Sequence, residues 1–255
     1  MLLAVDIGNT NVVLGLLKNG QTKFRWRLDS QSRRTEDEWY VLLRTLFRNE
    51  KLEITDISGV AISSVVPSLT PIFRILSKKY LNCEPLIITS DLDLDIAIKY
   101  DDPASVGADR LCNATAGYEK YGGPLIIIDF GTATTFDVIS KNGEYLGGVI
   151  SPGLETAARH LHTLAAKLPS VELQFPDKII ATNTEKSIQA GVMYSTIASV
   201  NGLIDLIREE LHEKGMVIAT GGIGALIIKK TDKIEAYEPD LTLIGMDIIY
   251  RKLHK

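Results

Sequence analysis

Residues 2–20, LLAVDIGNTNVVLGLLKNG, recur without a gap as residues 125–143, LIIIDFGTATTFDVISKNG. Asp6 aligns with Asp129, Gly8 with Gly131, Asn9-Thr10 with Thr132-Ala133, and Lys18-Asn19-Gly20 with Lys141-Asn142-Gly143. An ungapped match of this length marks a duplicated unit, which constrains the chain to two related halves. Each copy reads as an apolar strand, an Asp-x-Gly bend with small polar residues, a second strand, and an Asn-Gly turn, the strongest short hairpin signal. The bend sets a carboxylate beside a glycine and an amide or hydroxyl. Glycine lets the backbone approach phosphate oxygens, N–H and hydroxyl groups donate to them, and the aspartate holds a cation directly or through water. Two such bends facing each other would hold a polyphosphate and its metal.

The rest of each half extends the hairpin. Residues 23–28, KFRWRL, alternate as a third strand, with Phe24, Trp26 and Leu28 on one face. Thr35 and Glu38 have capping-box spacing ahead of Trp39, Leu42, Leu43, Leu46 and Phe47, predicting an amphipathic helix over 35–49. A strand over 57–66, a helix over 68–81 and a short strand over 85–89 complete the first half. The second half follows its hairpin with a strand over 145–150, helices over 154–167 and 184–213, a strand over 216–220, and a short helix after Gly221-Gly222. The boundary between the lobes is set at 115/116. The long helix carries Ile188, Val192, Ile197, Val200, Ile204, Ile207 and Leu211 along one stripe, which suits burial in the core or packing on a second subunit.

Composition removes several classes. A net charge of −4 and the absence of any dense basic run leave no electrostatic footprint for a nucleic acid. No apolar run reaches the roughly 18–20 residues that span a bilayer, so a soluble cytoplasmic protein is expected, with no membrane partner. Cys83 and Cys112 lack metal-type spacing and read as packing residues in a reducing compartment. Asp91, Asp93 and Asp95 resemble the start of a calcium loop, but Ile96 replaces the glycine of position six and Asp102 the glutamate of position twelve, so calcium is rejected. His160 and His162 fall on different helix faces, which argues against shared metal ligation.

There is no G-x-x-x-x-G-K-[ST] loop, no H-E-x-x-H and no G-x-S-x-G, which excludes P-loop, zincin and serine-esterase chemistry. Gly222-Ile223-Gly224 follows a strand, but Ile227 stands where a dinucleotide fingerprint needs glycine. Gly221-Gly222 is either a flat surface for a nucleotide or a simple strand-to-helix turn. At residues 105–110, SVGADR, a carboxylate and a guanidinium meet at a helix start, where Asp109 could equally serve as a cap. Phosphoryl transfer is the chemistry left, in which a protein positions two oxygens in line and neutralises charge.

The Asp6–Thr10 and Asp129–Thr132 motifs with Gly221-Gly222 resemble the phosphate and adenosine loops of the acetate kinase, sugar kinase, heat-shock protein and actin superfamily. More narrowly, DIGNTN, Tyr100, GADR at 107–110, IIDFGTATTFD at 127–137, GGVISPG at 147–153 and TGG at 220–222 resemble the type III pantothenate kinases, in order along essentially the whole chain. The resemblance implies an α/β fold of duplicated ribonuclease H-like (actin-like ATPase) lobes, each a mixed sheet with flanking helices. It implies ATP-dependent phosphorylation of pantothenate, the first step of coenzyme A synthesis, by a cytoplasmic homodimer using Mg²⁺ and K⁺ or NH₄⁺. Carried over by residue, Asp6, Ile7, Gly8, Asn9, Thr10, Asn11, Val12 and Val13 form the first phosphate loop, with Asp6 reaching Mg²⁺ through water or phosphate. Thr132, Gly221 and Gly222 contact ATP, and Asp129 binds the monovalent cation. Asp109 is the general base, and Tyr100, Gly107, Ala108, Asp109, Arg110 and Thr184 hold pantothenate.

These roles agree with general chemistry: an aspartate that accepts the proton of an attacking hydroxyl contributes roughly 10²–10⁴ in rate, and an arginine offers paired donors to a carboxylate. Three other readings stand beside this one. They are a kinase for another small hydroxyl substrate or a phosphatase, an ATP-binding transcriptional accessory protein, and a nucleotide-dependent scaffold. The second lacks a basic recognition helix, and the third needs no Asp109-Arg110 pair.

Overall fold

The computed structural model describes residues 1–30, 33–165 and 167–254. The chain divides into two units, residues 1–120 with 240–255 and residues 121–239.

In the first unit, β1 (Leu2–Ile7), β2 (Asn11–Lys18) and β3 (Gln21–Asp29) form the predicted antiparallel meander. Asn19 and Gly20 turn β2 into β3 with positive φ at both positions, the conformation for which this dipeptide is suited. The helix α1 (Glu36–Asn49) starts at Thr35 with both hydrogen bonds of the capping box formed. It is followed by β4 (Gly59–Ser64), α2 (Thr70–Leu81), β5 (Leu86–Ile87), β6 (Ala97–Ile98) and α3 (Ala108–Tyr121). The sheet runs β3-β2-β1-β4-β5, with β4 parallel to β1. Trp39, Leu43, Phe47, Phe73 and Leu76 of α1 and α2 pack with Leu3, Val5, Ile7, Leu14 and Ile62 to form its core.

The second unit repeats the plan with β7 (Leu125–Phe130), β8 (Ala133–Ile139) and β9 (Glu144–Pro152), then α4 (Leu154–Leu164), α5 (Thr184–Leu211), β10 (Met216–Thr220), α6 (Gly224–Ile227) and β11 (Ala236–Tyr237). The strands lie in the order β11-β10-β7-β8-β9, and β10 is parallel to β7 as β4 is to β1. The predicted continuation of α4 through Ala166 lies outside the described residues. By length and composition α5 is sufficient to cross a membrane, with a mean hydropathy of 1.3, contrary to the expectation that no segment is. Its Ile188, Val192, Met193, Val200 and Ile204 are buried in the core of this unit.

The repeats differ in one respect that the ungapped alignment does not reveal. Asp6 stands opposite Val13, whereas Asp129 stands opposite Thr135, the residue aligned with Val12. The first bend therefore holds one more residue, and a one-residue slip exchanges the faces of a strand. Unlike Asn19, Asn142 has no left-handed backbone, and only Gly143 turns there with φ +76°.

A helix that the sequence reading omitted closes the chain, α7 (Leu241–Leu253). It groups with the first unit, whereas the expectation from sequence ran the second lobe to residue 255. The reason is close packing: Leu243 fills the space above Gly15, Tyr250 that above Gly59, and Gly245 lies on the backbone of Cys112. Thr242 donates to the buried Asn113 of α3 at 2.8 Å.

Candidate active site

The first bend is closed by the Gly8 N–H, which donates to the Asn11 carbonyl at 2.9 Å. Asn9 is exposed, while Gly8, Thr10 and Asn11 are half-buried, so amide and hydroxyl groups cluster at the mouth of the strand pair. Asp6, also half-buried, accepts a hydrogen bond on Oδ1 from the Ser63 hydroxyl at 3.0 Å. Ile7 and Val12 are fully buried and anchor the bend in the core.

In the same unit, the start of α3 presents Gly107, Ala108, Asp109 and Arg110. The Gly107 carbonyl accepts from Leu111 N–H at 3.1 Å, so Gly107 caps the helix. A Cβ on Gly107 would sit 2.5 Å from Asp109 Oδ1, so only glycine leaves the carboxylate this space. Oδ1 in turn accepts from the Arg110 N–H at 2.7 Å. Burial pushes the Asp109 carboxyl above its ordinary range, outweighing that hydrogen bond and the Arg110 charge. A carboxylate tuned this way is a better proton acceptor, as a general base requires. Arg110 is buried and Tyr100 half-buried. The Cys112 thiol is buried, and its pKa is held well above the ordinary range by burial and by the charges of Asp6 and Asp109. That makes it unreactive, in keeping with a packing residue.

In the second unit, Gly131 N–H donates to the Ala133 carbonyl at 3.1 Å, a tighter closure than in the first bend. The Thr132 carbonyl accepts from Gly153 N–H at 3.2 Å and from Thr156 Oγ1 at 2.7 Å, so the start of α4 pins the bend while leaving Thr132 exposed. Neither Gly153 nor Thr156 had been singled out as a contact from sequence, although Gly153 lies in the GGVISPG stretch. Gly221 has φ +87°, and a Cβ there would lie 2.5 Å from Asp129 Oδ1 and 2.6 Å from the Phe130 backbone. The chain crosses β7 here as a bare backbone. Tyr237 Oη donates to the Gly221 carbonyl at 2.9 Å, and Gly222 is left exposed. The dipeptide is thus both the turn into α6 and an open surface.

Thr184 is not the cap of α5. Asn183 is, accepting from Lys186 N–H at 2.9 Å. Thr184 is exposed on the first turn and lines a cavity of about 820 Å³ with His160, Leu161, Thr134 and Ser187.

Among the described residues, no three His, Cys, Asp or Glu side chains converge as a metal cage. Asp93 is taken by Lys252 at 2.7 Å, and Asp95 pairs with the same ammonium. His162 Nδ1 bonds the Leu168 carbonyl at 2.8 Å. A cation held by one carboxylate and substrate phosphates is the usual Mg²⁺ arrangement, and the half-buried Asp6 at the mouth of its bend fits it. Asp129 offers a hard oxygen donor of the kind K⁺ accepts.

Two hairpin-led units, each with an Asp-x-Gly bend, define the fold class shared by acetate kinase, sugar kinases and actin-like ATPases. Solved structures share the fold. Porphyromonas gingivalis acetate kinase matches with TM-score 0.57 at 10% identity over 99% of both chains. A Campylobacter jejuni protein described as a Baf family transcriptional activator matches with TM-score 0.59 at 20% identity, over 99% of this chain and 98% of its own. At such identities the likeness speaks for the fold alone. The type III pantothenate kinase family profile matches residues 2–206. Type III pantothenate kinase of Thermomicrobium roseum is 45% identical over 100% of this chain and 98% of its own. That of Moorella thermoacetica is 45% identical over 99% of each. The chain belongs to the type III pantothenate kinase family.

Proposed function

We infer that the protein transfers the γ-phosphoryl group of ATP to the hydroxyl of pantothenate, giving phosphopantothenate in the first step of coenzyme A synthesis. The observation that carries this reading is the half-buried Asp109, its carboxyl pushed up by burial, beside Arg110 at the start of α3. Asp109 takes the proton of the attacking hydroxyl as the oxygen closes on phosphorus in line. The Arg110 guanidinium pairs with the pantothenate carboxylate, with Tyr100, Gly107, Ala108 and Thr184 completing the substrate contacts. The amides of residues 6–13 and Thr132 bind the ATP phosphates, and Gly221-Gly222 receives the adenosine. Mg²⁺, held by the phosphates and Asp6, supplies charge neutralisation of the transferring group. Asp129 takes K⁺ or NH₄⁺.

The working form is a cytoplasmic homodimer. Support comes from α5, whose exposed side carries Gly191, Ser195, Ala198, Ser199 and Gly202, small residues that let a second helix approach closely. Ile179, Ile180 and Leu164 are exposed in the same unit.

The test is ADP release with pantothenate as acceptor in Mg²⁺ buffer, with K⁺ or NH₄⁺ and again with Na⁺ alone. Pantothenate-dependent turnover that needs the larger cation supports substrate and cation roles together. Turnover only with another acceptor would refute the substrate.

A further inference from the structure

Each motif aspartate stands in register with a hydroxyl residue on the parallel strand beside it. Asp6 of β1 pairs with Ser63 of β4, and Asp129 of β7 pairs with Thr220 of β10. Paired residues of a parallel ladder point to the same face. Both hydroxyl residues are buried, Ser63 at 0% and Thr220 at 2% exposure. Strands of this kind are otherwise apolar: Ser63 follows Val60, Ala61 and Ile62, and Thr220 follows Val217, Ile218 and Ala219. A buried hydroxyl costs free energy unless it is hydrogen-bonded, so its recurrence at one position of two repeats calls for a reason. At the first site the reason is visible, because Ser63 Oγ donates to Asp6 Oδ1 at 3.0 Å. On its other side Ser63 lies beside the buried Cys112 thiol of α3, two residues after Arg110.

We propose that Ser63 and Thr220 are positioning residues, one for each motif aspartate, each turning its carboxylate so that the second oxygen faces the cation bound there. The proposal rests on the assignment of Mg²⁺ to Asp6 and of the monovalent cation to Asp129. A ligand carboxylate held by a neighbouring donor keeps its orientation when the cation leaves, and loss of such a donor typically weakens metal binding about 10–100-fold. The duplication supplies a sharp criterion: the two hydroxyls act on different ions.

The experiment uses the full chain and reads binding as well as turnover. Ser63→Ala, Thr220→Ala and the conservative Ser63→Thr and Thr220→Ser are compared with Asp6→Asn and Asp129→Asn. For each, Mg²⁺-dependent ADP binding is measured by calorimetry and the K⁺-dependent rise of the melting temperature by scanning calorimetry. Ser63→Ala is expected to raise the half-saturating Mg²⁺ about 10-fold with K⁺ dependence unchanged, and Thr220→Ala to do the reverse. The conservative variants restore each ion selectively, and the KM for pantothenate stays constant in all four. Equal changes in both ions, or none in the alanine variants while the Asp→Asn variants lose their ion, would overturn the positioning role. Should Asp6→Asn and Asp129→Asn themselves leave the two ion dependences untouched, the cation assignments fail and the proposal falls with them.

Discussion

Asp109 Oδ1 accepts the backbone N–H of Arg110 at 2.7 Å, so the proposed base and the proposed substrate-binding arginine are adjacent residues joined on one turn of α3. Gly107, two residues earlier, leaves the room that this geometry needs.

Asp109→Asn keeps the shape and the acceptor oxygen but removes the base. Single-turnover kinetics should show a rate lower by about 10²–10⁴, with ADP binding unaltered. A near-normal rate would mean that another group takes the proton.

The same substitution should change how stability depends on pH. Burial raises the Asp109 pKa in the folded state above its ordinary 3.8, so the folded chain binds the proton more tightly than the unfolded one. Its contribution is most favourable below 3.8 and declines as pH climbs through the raised value. Melting curves of Asp109→Asn and the parent should therefore separate in favour of the variant as pH rises from 3.8 through the raised value. Curves that stay parallel would show that the carboxylate is well solvated.

Arg110→Ala is expected to raise the KM for pantothenate with KM for ATP constant, and Arg110→Lys to recover only part, because an ammonium lacks the paired planar donors. Steady-state kinetics with both substrates varied decides this. An unchanged pantothenate KM would place the carboxylate contact elsewhere.

At Gly221, φ of +87° and the contact with Asp129 leave no space for a methyl group. Gly221→Ala should cost about 1–3 kcal/mol in urea unfolding and weaken ADP binding, by displacing the backbone from β7. A silent substitution would show that the crossing is looser than the geometry indicates.

Ala198→Arg places a long charged side chain on the small-residue face of α5 without touching the core. Sedimentation should report a dimer for the parent and a monomer for the variant. An unshifted dimer would locate the interface on another face.

The repeat, the hairpins, the capped helix α1 and the Asp-x-Gly bends were all legible in the chain, because each depends on neighbours within a few residues. Period-2 burial, the Thr35–Glu38 capping pair and the Asn-Gly turn of the first copy need no distant partner. So was the candidacy of Asp109 and Arg110, whose contact is between adjacent residues. The functional hydroxyl at Ser63 was not, since a serine in an apolar strand reads as filler until the parallel register sets it beside Asp6, 57 residues away. Nor was the place of α7, whose apolar residues do not name their receiving surface. That choice was made by the gaps above Gly15 and Gly59 and the bare face of Gly245 against α3. The extra residue in the first bend is the clearest case: the two copies align without a gap, and only the ladder shows that Asp6 and Asp129 face different neighbours. Local sequence determined which elements form and which groups they carry; register and close packing, which are properties of strands and helices brought together, determined what each carboxylate touches.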